Sequence, residues 1–349
     1  MTNDGPLEIC LGFPPFFATK YVERLEALDG VRVSLLPIDP DGDWVGETAS
    51  EPWSEPPPWA AGVAAERAEA LARADVLVTL HTPDRLSERA PRLRWIQGAG
   101  AGVEQFAQAG FDRDRVVLTN CSGVSAGSMA EWVMGRLLQV WKRFREADAY
   151  QSKHAFERTY GRTFAGSTIG IVGLGHIGRE VARRARAFGC RTLGLRRSAK
   201  PGDSSPDVDV LYPASALHEL LAASDAVIVA APATEATRHL IDRAALAAMK
   251  RDAVLVNVAR GTLVDEVELA RVMREEPIAA AVLDVFDPEP LAPESPLWDL
   301  PNVYVSAHSS VSVDRYMDDV FELFFENVKR FRAGESLRNV VDTKGPGFD

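Results

Sequence analysis

Gly173, Gly175 and Gly178 stand in the spacing G-x-G-x-x-G. The strand-forming run TIGIV precedes them, and a helical pattern follows that places Ile177, Val181, Ala185 and Phe188 on one face. Few local structures satisfy all of these demands. The first glycine admits a tight turn, the second lets another group approach the backbone, and the third lets helix and strand pack closely. A helix that begins there offers free N–H groups and the positive end of its dipole, which suits a pyrophosphate. The segment therefore reads as the first strand, turn and helix of a dinucleotide-binding domain.

The rest of the chain repeats the alternation. Before the glycine loop, strands are expected at 7–13, 31–36, 75–80, 93–97 and 116–119, with helical patterns at 18–28 and 60–72. One long helix is expected over 126–149, capped by Ser125 or Ser128. Beyond the loop, strands are expected at 191–195, 226–230, 253–258, 279–284 and 303–306. Helices are expected at 177–188, 214–222, 243–249 and 265–274, and in the closing DRYMDDVFELFFENVKRF. Such alternation implies parallel sheets covered on both faces. Two series in 349 residues give an α/β chain of two doubly wound, Rossmann-like domains. Prolines at 37, 40, 52, 56, 57 and 58 interrupt the pattern. That stretch reads as a surface excursion, whose Trp44 and Trp53 pack on the body or cover a cleft.

Charge narrows the function. There are 39 Lys and Arg against 50 Asp and Glu, a net charge of −11. Such a surface repels phosphate backbones, so neither nucleic acid nor a membrane surface is the expected partner. Cys10, Cys121 and Cys190 are far apart, with no CxxC or Cys/His metal spacing, so no disulfide framework and no metal site are expected. Unpaired thiols suit the cytoplasm. The opening MTNDGPLEIC lacks the basic and apolar regions of a signal peptide, and no uncharged apolar run reaches the ~18 residues of a membrane span.

Cofactor choice is read at the end of the second strand, in TLGLRRSAK. An acid there would bind a ribose 2′-OH. Arg196, Arg197 and Ser198 stand there instead, with Lys200 close behind. A guanidinium grips a 2′-phosphate that a carboxylate would repel. NADP is therefore expected over NAD, with NAD left open.

Seven segments, in order, carry a family resemblance: LRWIQGAGAGVE, VVLTNCSGVSAGSMAEW, TIGIVGLGHIGRE, ATRHLID, LVNVARGTLVDE, AAVLDVFDPEPL and NVYVSAHSS. Together they resemble the D-isomer-specific 2-hydroxyacid dehydrogenases, a group that includes glyoxylate/hydroxypyruvate reductases. The resemblance implies a cofactor domain, 121–306, inserted into a substrate domain made of 1–120 and 307–349, with the active site in the cleft between them. It implies hydride transfer between a nicotinamide cofactor and a small 2-oxo or 2-hydroxy acid.

The catalytic set it implies is Arg260, Glu289 and His308. Arg260 would hold and polarise the substrate. His308 would exchange the proton, as a group that titrates near neutrality. Glu289 would favour the protonated imidazole. The departures, Asp287 and the Ser309–Ser310 pair, leave this set intact. Gly100, Ala101 and Gly102 would turn backbone N–H groups to the substrate carboxylate, beside Arg260 and His308. His176, Ile177, Pro232, Thr237, Ala259 and Asp284 would line the cofactor, although Asp284 equally suits a strand end. Asn120, Trp132 and Arg315 are further cleft candidates. The resemblance also implies a homodimer joined through the long helix and residues 150–164. A different class of relative, a dinucleotide-sensing corepressor, shares the fold, but a sensor has no need of the Arg260–Glu289–His308 set.

Overall fold

A computed structural model of the chain describes residues 5–12, 15–36, 60–80, 85–275, 278–312 and 314–345. The proline-rich stretch with Trp44 and Trp53 lies outside them. The chain forms two compact units, one of Met1–Val124 with Arg315–Asp349, the other of Ser125–Asp314. The second is thus inserted into the first.

The first unit runs β1 (Leu7–Gly12), α1 (Pro15–Glu26), β2 (Val31–Leu35), α2 (Ala60–Arg73), β3 (Val76–Thr79), α3 (Leu86–Arg89), β4 (Trp95–Gly98) and β5 (Val117–Thr119). The second runs α4 (Ala126–Trp141), α5 (Phe144–Ser152), β6 (Thr168–Val172), α6 (His176–Ala187), β7 (Arg191–Arg196), β8 (Val210–Pro213), α7 (Leu217–Ala223) and β9 (Ala226–Val229). It continues with α8 (Arg243–Ala248), β10 (Val254–Asn257), α9 (Glu266–Glu275), β11 (Ala280–Leu283) and β12 (Val303–Val305). Helix α10 (Tyr316–Ala333) then returns to the first unit.

Both sheets are parallel throughout. The first has the order β2-β1-β3-β4-β5, the second β12-β11-β10-β9-β6-β7-β8. The pleat distributes the apolar residues to two cores. In β9, β10 and β11, Ala226, Ile228, Val254, Val256, Ala280 and Val282 point to one side, where α4 and α6 cover them with Val133, Leu137, Val181 and Ala185. Val227, Val229, Leu255, Ala281 and Leu283 point to the other, against Leu220, Leu246 and Leu269 of α7, α8 and α9. In the first unit, Leu7, Ile9 and Leu11 of β1 meet Tyr21, Leu25, Phe321 and Phe324 of α1 and α10. Cys10 faces Ala70 and Leu71 of α2.

Two local expectations fail. The helix expected over 126–149 is two helices, because Arg143 takes a left-handed φ of 57° between α4 and α5. A crossing segment causes the break: the Trp141 carbonyl accepts the Arg162 N–H at 2.8 Å, and the Lys142 ammonium donates to the Arg162 carbonyl at 2.8 Å. Ser125 does hold the N-cap position of α4, but its hydroxyl makes no capping bond there. Strand β8, at the edge of the second sheet, had no counterpart among the expected elements.

Candidate active site

The glycine loop is built as its spacing requires. Gly173 has φ +104°, and a Cβ there would lie 2.7 Å from the Ala230 carbonyl oxygen. At Gly178 a Cβ would lie 2.1 Å from the Gly173 carbonyl oxygen, so strand and helix touch backbone to backbone. Gly175 differs: it is exposed, and open space surrounds the place where its Cβ would stand. A side chain there would fill the approach to the first turn of α6. A dinucleotide pyrophosphate fits this opening, since the helix begins at His176 with its unbonded N–H groups directed outward. His176 is exposed, whereas Ile177 packs partly into the core.

Beyond β7, Arg197, Ser198 and Lys200 are exposed. Arg196 is half-buried and lies 3.6 Å from the Asp207 carboxylate. Asp207 was not anticipated. It lies eleven residues downstream of Arg196, in the β7–β8 connection, and only the fold brings it back.

Other residues expected around the cofactor shape turns. Thr237 donates its hydroxyl to the Pro232 carbonyl at 2.8 Å and accepts the Thr234 N–H at 2.8 Å. The Ala259 N–H donates to Asn257 Oδ1 at 3.1 Å, and its carbonyl accepts from Arg260 at 2.8 Å. Asp284 is fully buried. Its Oδ1 accepts the Ser306 hydroxyl at 2.7 Å and the Ser309 N–H at 2.9 Å, and its Oδ2 accepts the Ser310 N–H at 3.0 Å. The Asp284 carbonyl takes the His308 N–H at 2.8 Å. Asp284 therefore braces the turn that carries His308, where the backbone is left-handed at φ 46°.

The structure brings His308 and Glu289 together, with Nδ1 2.9 Å from Oε2. The other Glu289 oxygen accepts the Phe286 N–H at 2.9 Å. With Nδ1 engaged, Nε2 is the ring nitrogen left for a substrate. Arg260 follows β10, and Asn257 donates to its carbonyl at 2.9 Å. The next residue explains why the turn lies where it does. A Cβ at Gly261 would stand 1.9 Å from the Phe286 carbonyl carbon. The turn bearing Arg260 and the loop leading to Glu289 thus press against each other through backbone alone.

In the first unit, the turn after β4 has its carbonyls drawn inward one after another. Gly98 O accepts from Gln97 Nε2 at 2.9 Å and from the Cys121 thiol at 3.2 Å. Ala99 O accepts the Tyr316 hydroxyl at 2.5 Å, Gly100 O the Cys121 N–H at 2.8 Å, and Ala101 O the Asn120 amide at 2.8 Å. Among the described residues no acceptor takes the N–H groups of Gly100, Ala101 or Gly102. Burial pushes the Cys121 thiol up to about 12, so it serves as a structural donor and not as a nucleophile. Trp132 packs partly into the core of the second unit with Arg136 stacked on it at 4.9 Å, and Arg315 is exposed.

Residues 134–310 match the model of the D-isomer specific 2-hydroxyacid dehydrogenase NAD-binding domain. The chain is 34% identical over 288 residues to a glyoxylate reductase of Korarchaeum cryptofilum, covering 78% of this chain and 86% of that one. The chain belongs to the D-isomer specific 2-hydroxyacid dehydrogenase family. Among solved structures, a dehydrogenase of this family from Aeromonas salmonicida is similar with a TM-score of 0.79 at 28% identity, over 99% of this chain and 100% of that chain. An NADPH-dependent glyoxylate/hydroxypyruvate reductase from Sinorhizobium meliloti, in complex with NADP and sulfate, is similar with a TM-score of 0.75 at 28% identity, over 97% and 98%. The Glu289–His308 pair and the Arg260 turn both lie within the unit Ser125–Asp314. Among the described residues, no group of His, Cys, Asp and Glu is placed to hold a metal ion, and no helix is long and apolar enough to cross a membrane.

Proposed function

We propose that this dehydrogenase reduces a small 2-oxo acid of the glyoxylate and hydroxypyruvate class with NADPH as its preferred cofactor. The observation that carries this reading is the 2.9 Å Glu289–His308 contact, with the loop leading to Glu289 packed on the Arg260 turn at Gly261. A bound reduced nicotinamide supplies the hydride. Arg260 offers planar paired donors to the carboxylate and carbonyl oxygens and stabilises the charge that grows on the latter. His308, kept in one tautomer by Glu289 at Nδ1, gives a proton from Nε2 to the nascent alkoxide. In the first unit, the N–H groups of Gly100, Ala101 and Gly102 are the donors proposed for the substrate carboxylate. Reduction of glyoxylate by NADPH, followed at the nicotinamide absorbance, tests the reading, and turnover that survives loss of Glu289 unchanged would refute it.

The preference for NADPH rests on Arg197, Ser198 and Lys200 being exposed, with Arg196 beside them. Asp207 shares Arg196 and works against a 2′-phosphate, but at 3.6 Å on a half-exposed surface its pull is weak. Hydrogen bonds to charged groups contribute about 1.5–3 kcal/mol each. Replacing Arg196 by Asp and Arg197 by Ala should therefore raise the KM for NADPH roughly 10- to 100-fold and turn preference to NADH. Unchanged preference would discard this assignment.

We also propose a homodimer. On the segment that follows α4, Phe156 is 100% exposed, Tyr160 75% and Phe144 50%, aromatic surface that a second copy would cover. Light scattering should give about twice the 38.1 kDa chain mass, and a monomer mass would contradict it.

A further inference from the structure

The loop that presents Glu289 is held by a second carboxylate. Glu266, the first residue of α9, accepts the Asp287 N–H on Oε1 at 2.9 Å. The adjacent amide, that of Phe286, donates to Glu289 Oε1 at 2.9 Å, while Glu289 Oε2 lies 2.9 Å from His308 Nδ1. Two consecutive N–H groups of one loop are thus taken by two glutamates, one fixed on a helix and one directed at the imidazole. The Asp287 side chain turns elsewhere, to Arg238 at 3.6 Å, so its amide is what Glu266 holds. The loop has no slack on its other side either, since Gly261 packs directly against the Phe286–Asp287 peptide.

We propose that Glu266 is a positioning residue for proton transfer: by holding the Asp287 amide from the first turn of α9, it sets the 286–289 loop so that Glu289 meets His308. This rests on the oxo-acid reductase reading given above. The placement is costly for an acid. Burial pushes the Glu266 carboxyl up to about 7, with the Asp287 and Glu289 carboxylates adding to the rise and the Asp287 N–H opposing it. A solvated glutamate would face no such penalty. Its backbone bond to a loop 21 residues away in sequence gives this one a reason to be there.

Glu266→Ala removes the acceptor, whereas Glu266→Gln keeps an acceptor oxygen at the same reach and removes only the charge. A displacement of about 1 Å at a reacting group costs up to ~10²-fold in rate. Glu266→Ala should therefore lower kcat about 10- to 100-fold, with the KM for NADPH within about threefold of wild type. Glu266→Gln should recover most of kcat. In a His308→Asn background Glu266→Ala should add little, because residues that act as one unit are not additive. Three results would overturn the proposal: a Glu266→Ala enzyme with near wild-type kcat, a Glu266→Gln enzyme as impaired as the Ala variant, or a full additional loss in the His308→Asn background. If Glu266→Ala fails to fold, the Gln variant and its cycle with His308→Asn decide, with Gln as impaired as His308→Asn counting against. Absence of oxo-acid turnover in the wild type would instead refute the underlying reading, which separates the two failures.

Discussion

His308→Ala should lower kcat for 2-oxo acid reduction by about 10²- to 10⁴-fold, the range that general acid catalysis supplies, and leave NADPH binding within about threefold of wild type. The separation follows from where the side chain sits. Its backbone is pinned by Asp284 and its ring by Glu289, so removing the imidazole leaves the glycine loop at the start of α6 untouched. Asp284 is buried and keeps its three acceptor bonds to Ser306, Ser309 and Ser310, which preserves the turn in the variant. Steady-state kinetics with cofactor titration by fluorescence check the prediction. A near wild-type rate would remove His308 from the reaction.

Arg260→Ala is the second large effect. Removing a single donor that stabilises developing charge costs about 10²- to 10³-fold in kcat, and loss of a carboxylate contact should also raise the KM for the oxo acid. Arg260→Lys should restore only part of both, because an ammonium cannot reproduce the paired donors of a guanidinium. Full recovery with Lys would mean that charge alone matters there. An effect confined to the KM for NADPH would place Arg260 on the cofactor instead.

Much of this architecture is legible in the chain itself. The glycine spacing, the strand before it and the apolar face after it each appear in the structure for the reason the spacing implies, with a positive φ at Gly173 and backbone contact at Gly178. The two-sided burial of β9, β10 and β11 follows from short runs that are apolar at every position but Asn257. Residues with a local signal but a distant partner are harder. The break at Arg143 arises because a distant segment, through Arg162, takes the carbonyl of Trp141. Strand β8 lies at an edge and is half-buried at all its positions, so it carries little apolar periodicity. Asp207 beside Arg196, and Glu266 beneath Asp287, are pairings made by the fold. Each residue reads as an ordinary charged surface position until its partner is in place. The inward carbonyls of 98–101 depend likewise on Asn120, Cys121 and Tyr316, which no local pattern links to the glycine-rich turn.

The central claim is tested most directly by following NADPH and NADH oxidation by the wild-type protein against glyoxylate, hydroxypyruvate, pyruvate and phenylpyruvate. The account predicts turnover of at least one of these acids, faster with NADPH. Tight cofactor binding with no turnover of any of the four would contradict it.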